Sequence, residues 1–190
     1  SGTLSDSTTA GGLTKTGSGS LTLPNTNNYS GTTLVSGGIL AVSGSIASAT
    51  TVNSGGILTG VGSLGGNVTV NSGGTLSPGV NSGIGSITIN GNLDINSGGT
   101  LDVQIAGTTA GSDYDQVAVN GTVDVGSATL SVTHGYTPGL SDSYTIIDNN
   151  AADAVTGTFN GLAEGGTITA GGNSTVLTAS YIGATGNGFT

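Results

Sequence analysis

The chain has 190 residues, about one domain, with 38 glycines, a formal net charge of −9 and no cysteine, methionine or tryptophan. Hydrophobic residues make up 34% and charged residues 6%, which excludes the usual disordered composition, and no strict Gly-X-Y register is present, which excludes collagen. Lys15 is the one basic residue, so the chain lacks the cations that nucleic acid and anionic membrane surfaces require.

The negative charge reads as a solubility device. Helix formers are nearly absent: one Glu, one Lys, no Arg. Thr, Val, Ile, Ser, Gly and Asn dominate instead, which favours strands and turns and predicts an all-β fold. The lack of cysteine leaves no disulfide framework and fits export through an oxidising compartment. No apolar run reaches the length of a membrane-spanning helix, so no membrane span is expected. No basic-then-apolar signal opens the chain, so an exported protein would stand here in mature or processed form.

In chain order, Ser1–Ala10 is short, polar and unlike the repeats. It reads as an N-terminal strand or cap, one that could be lent to a neighbour. Repeat coils are expected over 11–135. One phrase recurs there: VSGGIL at 35–40, VNSGGIL at 52–58, VNSGGTL at 70–76 and INSGGTL at 95–101. The first glycines of the pairs are Gly37, Gly55, Gly73 and Gly98, at intervals of 18, 18 and 25 residues. A period near 20 suits one turn of a solenoid. SPGVNSGIGS (77–86) reads as an inserted loop in the long interval.

Each repeat has one physical grammar. Val68-Thr69-Val70 puts valine on one face and threonine on the other. Asn-Ser-Gly-Gly then turns the chain, because glycine tolerates positive φ and Asn bonds locally. Stacking predicts Val70 near Val52, Leu76 near Leu58, and an Asn ladder through Asn53 and Asn71 at a corner. Alternating strands continue through Ile87, Ile89, Leu93, Ile95, Leu101, Val103, Ile105, Val117, Val119, Val123, Val125, Leu130 and Val132. From Tyr136 the composition shifts, with Tyr136, Tyr144, Phe159, Tyr181 and Phe189 in the last third. Residues 136–190 read as closing coils of one domain spanning 1–190. The whole predicts about nine coils, a rod about 40–45 Å long and right-handed crossovers.

Residues 11–40, GGLTKTGSGSLTLPNTNNYSGTTLVSGGIL, resemble the autotransporter-associated β-strand repeat of bacterial passenger domains. The elements are Leu13–Gly17 with Lys15 at the repeat's lysine, Leu21–Leu23, Asn27–Gly31 with Tyr29, and Thr33–Leu40. Pro24 stands where the repeat usually has a small or polar residue. Residues 114–159 resemble the closing passenger segment that often follows such repeats. The resemblance implies a right-handed parallel β-helix (a β-solenoid) outside the cell, serving adhesion or a surface layer more often than catalysis. No membrane barrel follows within the sequence.

Three constellations carry possible chemistry. Asp113-Tyr114-Asp115 places two carboxylates on one side of a strand, which suits Ca²⁺; the alternative is a solvated turn before 117–119. Asp94 and Asp102 flank a turn and invite comparison with acid pairs of polysaccharide hydrolysis, but no arginine or available lysine accompanies them. His134 reads as the turn His134-Gly135, with no partners for a triad or metal site. No phosphate loop is present. Four sequons begin at Asn28, Asn67, Asn120 and Asn173.

No cofactor and no enzyme activity are expected. The sequence points to an extracellular structural or adhesive module, with partners either itself, end to end in a fibre, or host and cell-surface components. The end-to-end version rests on an unpaired last coil as a template for another chain. A carbohydrate-binding surface is the alternative, with Tyr29 and Tyr114 as the only early platforms. A polysaccharide-degrading enzyme ranks below it.

Overall fold

The computed structural model describes residues 2–7, 9–150, 153–182 and 188–190. Among these, there is no helix. The strands form six stacked three-strand coils. The first holds β1 (Leu13–Lys15), β2 (Ser20–Leu23) and β3 (Thr26–Asn27). The second holds β4 (Thr33–Val35), β5 (Gly38–Val42) and β6 (Ser45–Ile46). The third holds β7 (Thr50–Val52), β8 (Gly56–Gly60) and β9 (Ser63–Leu64). The fourth holds β10 (Val68–Val70), β11 (Thr75–Pro78) and β12 (Ser86–Ile89). The fifth holds β13 (Leu93–Ile95), β14 (Thr100–Ile105) and β15 (Gln116–Val119). The sixth holds β16 (Val123–Asp124), β17 (Thr129–His134) and β18 (Ile147–Asn149). Three short strands come after it: β19 (Thr167–Thr169), β20 (Gly171–Gly172) and β21 (Val176–Thr178).

Three parallel sheets run the length of the stack. The first, sheet A, has the order β1-β4-β7-β10-β13-β16. The second, sheet B, has the order β2-β5-β8-β11-β14-β17-β20, and the third, sheet C, runs from β3 to β18. The pairing is parallel throughout these sheets, as a β-solenoid requires. Strand alternation explains the core. Inward positions such as Val35, Val52, Val70, Leu58, Leu76, Leu101, Ile89 and Val119 have no exposed surface, while Thr51, Thr69 and Thr88 face out. Leu58 pairs in register with Leu76, and Val52 with Val70.

Six coils replace the nine expected. In sheet A, Leu13 pairs with Thr33, Thr33 with Thr50, Thr50 with Val68, Val68 with Leu93 and Leu93 with Val123. These offsets are 20, 17, 18, 25 and 30 residues, so the later coils are longer. The extra length sits in three loops, 79–85, 106–115 and 135–146, each between a sheet B strand and the next sheet C strand. The first is shorter than expected, because Ser77 and Pro78 stay in β11. At about 4.8 Å per coil the six coils span about 29 Å.

The Gly-Gly corners need their two glycines for different reasons. Gly55, Gly73 and Gly98 have φ of 80°, 76° and 80°. The next residue needs the lack of a side chain: a Cβ on Gly74 would lie 2.6 Å from the Val52 carbonyl oxygen of the coil before. The first repeat departs from this. Its turn is one residue shorter, Gly37 is not in the left-handed region, and Gly38 (φ 64°) takes that conformation while pairing with Gly56.

The boundary expected at residue 136 falls inside the sixth coil, since β18 completes it beyond the 135–146 loop. Among the described residues after 153 no further three-sided coil forms. β19 and β21 form an antiparallel hairpin, and β20 lies on the end of β17. Phe159, Tyr181 and Phe189 pack together, with Phe159 and Phe189 centroids 5.1 Å apart at 71°.

Candidate functional site

The three inserted loops stack on one corner of the solenoid and form a ridge along it. Insertions confined to one side of a repeat stack commonly make its binding face. The ridge is fastened from within. Asp115, at the end of the second loop, has no exposed surface. One carboxylate oxygen accepts the Gly85 N–H of the first loop and the other the Gln104 N–H of β14, both at 2.8 Å. Burial pushes the Asp115 carboxyl up to about 6, against the lowering pull of those two bonds. Gln104 also donates to the Ser82 carbonyl at 3.1 Å. The third loop is joined to β15 by Gln116 Nε2, which donates to the Thr145 carbonyl at 2.9 Å, and to the second loop by the Thr145 N–H, which donates to the Tyr114 hydroxyl at 3.3 Å.

Asp113 and Asp115 therefore do not point the same way from a strand. Asp113 lies in a turn and accepts the Thr109 N–H at 3.1 Å, while Asp115 is turned inward to bind loop backbone. Their different roles arise from the tight turn at 111–114, which breaks strand alternation between them. Among the described residues no three His, Cys, Asp or Glu side chains cluster in a way that could hold a metal ion.

The third loop carries the most exposed large apolar side chain among the described residues, Leu140, at 111%. Its base is polar and ordered. Asp142 accepts the Gly139 N–H and the Tyr136 hydroxyl, each at 2.8 Å, and the Tyr136 and Tyr144 hydroxyls are in hydrogen-bond contact. These bonds hold the Asp142 carboxyl below its ordinary range. Beside this loop, between the last coils and the β19–β21 hairpin, lies a cavity of about 550 Å³ lined by Ile105, Leu130, Val132, Tyr144, Ile168 and Leu177.

His134 is not in a turn. It ends β17 in register with Ile105, is completely buried, and stacks on Tyr136 at 4.8 Å. Asn173 Nδ2 lies 3.0 Å from its Nδ1, while Nε2 has no hydrogen-bond partner among the described residues. Inward alternation along β17 places it there, a consequence that reading Gly135 as a turn signal obscured. Tyr29 and Tyr114 are likewise buried, at 3% and 5% exposure, so neither is a platform for sugar. Tyr29 instead joins a chain of hydroxyls, to Thr33 at 2.6 Å and onward to Ser48 at 2.9 Å. Asp94 and Asp102 lie on outward positions of different sheets; Asp94 pairs in register with Asp124, Asp102 with Ser131. Burial, and then the Asp124 charge, raise the Asp94 carboxyl.

Lys15 is buried in the first coil. Its Nζ donates to the carbonyls of Thr16, Gly17 and Gly37 at 2.8, 2.9 and 2.9 Å. The amine ties the first coil to the second and is not available as a catalytic cation. Two Asn ladders run along corners. Asn71 donates to Asn53 and Asn96 to Asn71; Asn120 donates to Asn90 and Asn150 to Asn120. The second ladder escaped sequence reading because its asparagines are 30 residues apart and lie outside the recurring Asn-Ser-Gly-Gly phrase. Three sequon asparagines are engaged through their side chains: Asn67 by the Asn92 N–H, Asn120 in its ladder and Asn173 at His134.

The ends of the stack differ. The sequence suggests that Ser1–Ala10 could be lent to a neighbour. Instead its described residues form no strand and lie on their own first coil. The Leu4 carbonyl accepts the Asn28 N–H at 3.0 Å, and Asp6 accepts the N–H groups of Gly11 and Ser30. This covers sheet C. The outer edges of β1 and β2 have no strand beside them among the described residues. At the far end each sheet meets further backbone. The Thr156 carbonyl accepts the Val125 N–H, Phe189 pairs with Ile147, and β20 pairs with Thr133 and His134. The bare edge is thus at the first coil, not at the last as expected, because residues after 153 fold back over the sixth coil.

No curated protein matches the chain. Residues 13–42, from β1 to the end of β5, match the passenger-associated-transport-repeat family. The matched stretch contains Lys15 with its three carbonyls, Tyr29 and the first Gly-Gly corner, which are the residues that lock the first two coils together. This chain carries the passenger-associated-transport repeat of autotransporter passengers, on a β-solenoid, and that repeat implies a secreted or cell-surface protein.

Proposed function

We propose that the chain is a structural and adhesive module of a bacterial surface protein, a stiff rod that presents its loop ridge to another surface. The observation that carries this reading is the stacking of all three long insertions on one corner, the first two fastened by buried Asp115 and the third by its bonds to Gln116 and Tyr114. Backbone ladders and an apolar core supply stiffness, and the outward Thr and Ser rows meet water. The role is not catalytic. Outward Asp94 faces a second carboxylate, and the one amine is engaged in the first coil. Open-ended fibres would need a free edge at both ends, and the sixth coil is covered, so the fibre version is not favoured.

The test is display of the chain on bacterial cells, followed by attachment to host-cell and bacterial layers. Leu140→Asp, on the ridge, is expected to reduce attachment, while Thr75→Asp, on the flat sheet B face, leaves it unchanged. The opposite pattern contradicts the ridge. Release of reducing ends from a polysaccharide, abolished by Asp94→Asn, would replace the reading with a catalytic one.

A further inference from the structure

The tip of the β19–β21 hairpin meets the end of β17. Within it β20 pairs with that strand, Gly171 with Thr133 and Gly172 with His134. From the next residue, Asn173, the side-chain nitrogen reaches two acceptors, the Tyr136 carbonyl at 2.6 Å and His134 Nδ1 at 3.0 Å. The oxygen of the same amide accepts the Thr175 N–H at 3.1 Å and the Thr175 hydroxyl at 2.7 Å. A backbone carbonyl only accepts and a backbone N–H only donates, so these partners fix which end of the amide is nitrogen. His134 Nδ1 therefore accepts, and the ring is the neutral form with its proton on Nε2.

We infer that His134 and Asn173 form an acid-released latch, which keeps the β19–β21 hairpin on the sixth coil until the imidazole takes up a second proton. That proton sits on Nδ1 and points at the Asn173 N–H, donor against donor. The amide can turn its oxygen to the ring only by giving up the Tyr136 carbonyl and both Thr175 donors, so Asn173 leaves β17. Among the described residues Asn173 is the hydrogen-bond partner of the ring, and Nε2 has none. The other elements about the ring bring no charge onto Nδ1. β14 and β20 present Ile105 and Gly172 in register with His134. Tyr136 stacks on the ring face at 4.8 Å, and Tyr144 meets it edge-on at 5.9 Å. The Asp142 carboxylate is engaged by the Tyr136 hydroxyl and the Gly139 N–H, and Asp115 by the Gly85 and Gln104 N–H groups.

Histidine ordinarily changes charge between pH 5 and 8, so the latch opens in mild acid. The event is local. The ladders from β1 to β18 do not pass through Asn173, and Asp115 still favours the coil stack in acid. What release changes is apolar surface. Ile168 and Leu177 of the hairpin and Leu130 and Val132 of β17 line one cavity, and they part when the hairpin lifts. A rod with or without an adhesive ridge would carry the latch.

Pulsed electron paramagnetic resonance tests it, with spin labels at Thr129 on β17 and Thr169 on β19, both exposed. A single narrow distance is expected at pH 7.5. A second, longer population should grow about tenfold or more by pH 5 and vanish on return. Imidazole nitrogen chemical shifts should show the Nε2–H form at neutral pH, and the open population should follow the ring's own titration. His134→Gln, which stays neutral and can still accept from Asn173, should remain closed at both pH values. Asn173→Ala should show the longer population at both. Exchange of the Asn53 and Asn71 amides, each bonded to the coil before, checks that the variants keep their coils. A neutral ring with its proton on Nδ1 overturns the inference. So do a hairpin that stays closed while the ring is protonated, and acid opening of His134→Gln. If that variant does not fold, the unlabelled ring titration decides against the labelled distances, since opening that follows another group's titration also overturns it.

Discussion

Asn71 donates its side-chain N–H to the Asn53 oxygen at 2.8 Å, across two coils and 18 residues of sequence. Asn96 extends the row by donating to Asn71 at 2.9 Å, so the central amide both gives and receives a bond. Replacing Asn71 with alanine removes both and should cost about 1–3 kcal/mol, read from urea denaturation. Asn120→Ala, in the more exposed second ladder, should cost less, because water replaces its partners.

The two glycines of one corner separate two kinds of strain. Gly73→Ala places a side chain at φ 76°, with its Cβ 2.6 Å from the Ser54 hydroxyl, which can rotate away, and should cost about 1–2 kcal/mol. Gly74→Ala sets a Cβ against the Val52 carbonyl oxygen, a backbone atom that cannot turn away. Gly74→Ala should be the more destabilising of the two in thermal unfolding. The reverse order would mean that the coils sit further apart than described.

These corners also mark how far the sequence could be read. The recurring Asn-Ser-Gly-Gly phrase fixes a period, and the period alone aligns Leu58 with Leu76 and Asn53 with Asn71. Repetition is visible without any coordinate. The number of coils was not visible, because loops of increasing length stretch the later coils and the phrase disappears after residue 101. The roles of Asp115 and His134 were hidden for a related reason. Local residue types suggested turns, while the inward direction of each side chain depends on strand register with a coil about 30 residues away. The covering of the sixth coil depends on where residues after 153 fold, and nothing periodic announces that.

Acid should stabilise this fold over the range in which most proteins begin to weaken. Asp115 titrates at about 6 when folded, above the value of about 3.9 for a free aspartate. The folded chain therefore binds this proton more tightly, and the group's penalty appears as pH rises through 6 and vanishes below about 4. Asp94 is shifted in the same direction. Asp6 and Asp142 are held low and act oppositely, but only as pH falls through the lower carboxylate range. Denaturation midpoints should rise from pH 7.5 to pH 5, and Asp115→Asn should flatten that rise.

Lys15 makes the chain a simple substrate for trypsin. It is the only basic residue, so it is the only cleavage site, and it is 8% exposed with its amine on three carbonyls. Native protein should resist trypsin, and the unfolded chain should be cut once. Lys15→Met leaves those carbonyls without their donor and should cost about 1–3 kcal/mol. Rapid cleavage of the native chain would mean that the first coil opens readily on its own.

Coil stacking itself is open to direct measurement, since a chain without cysteine accepts paired spin labels cleanly. Leu34, Thr51, Thr69, Asp94 and Asp124 form one row in register on sheet A. Labels at Leu34 and each later position should separate in equal steps of about 4.8 Å, reaching about 19 Å at Asp124. The steps should stay equal although the sequence intervals grow from 17 to 30 residues. Distances that track sequence separation, or that fall and rise as antiparallel hairpins would make them, would contradict the stacked coils.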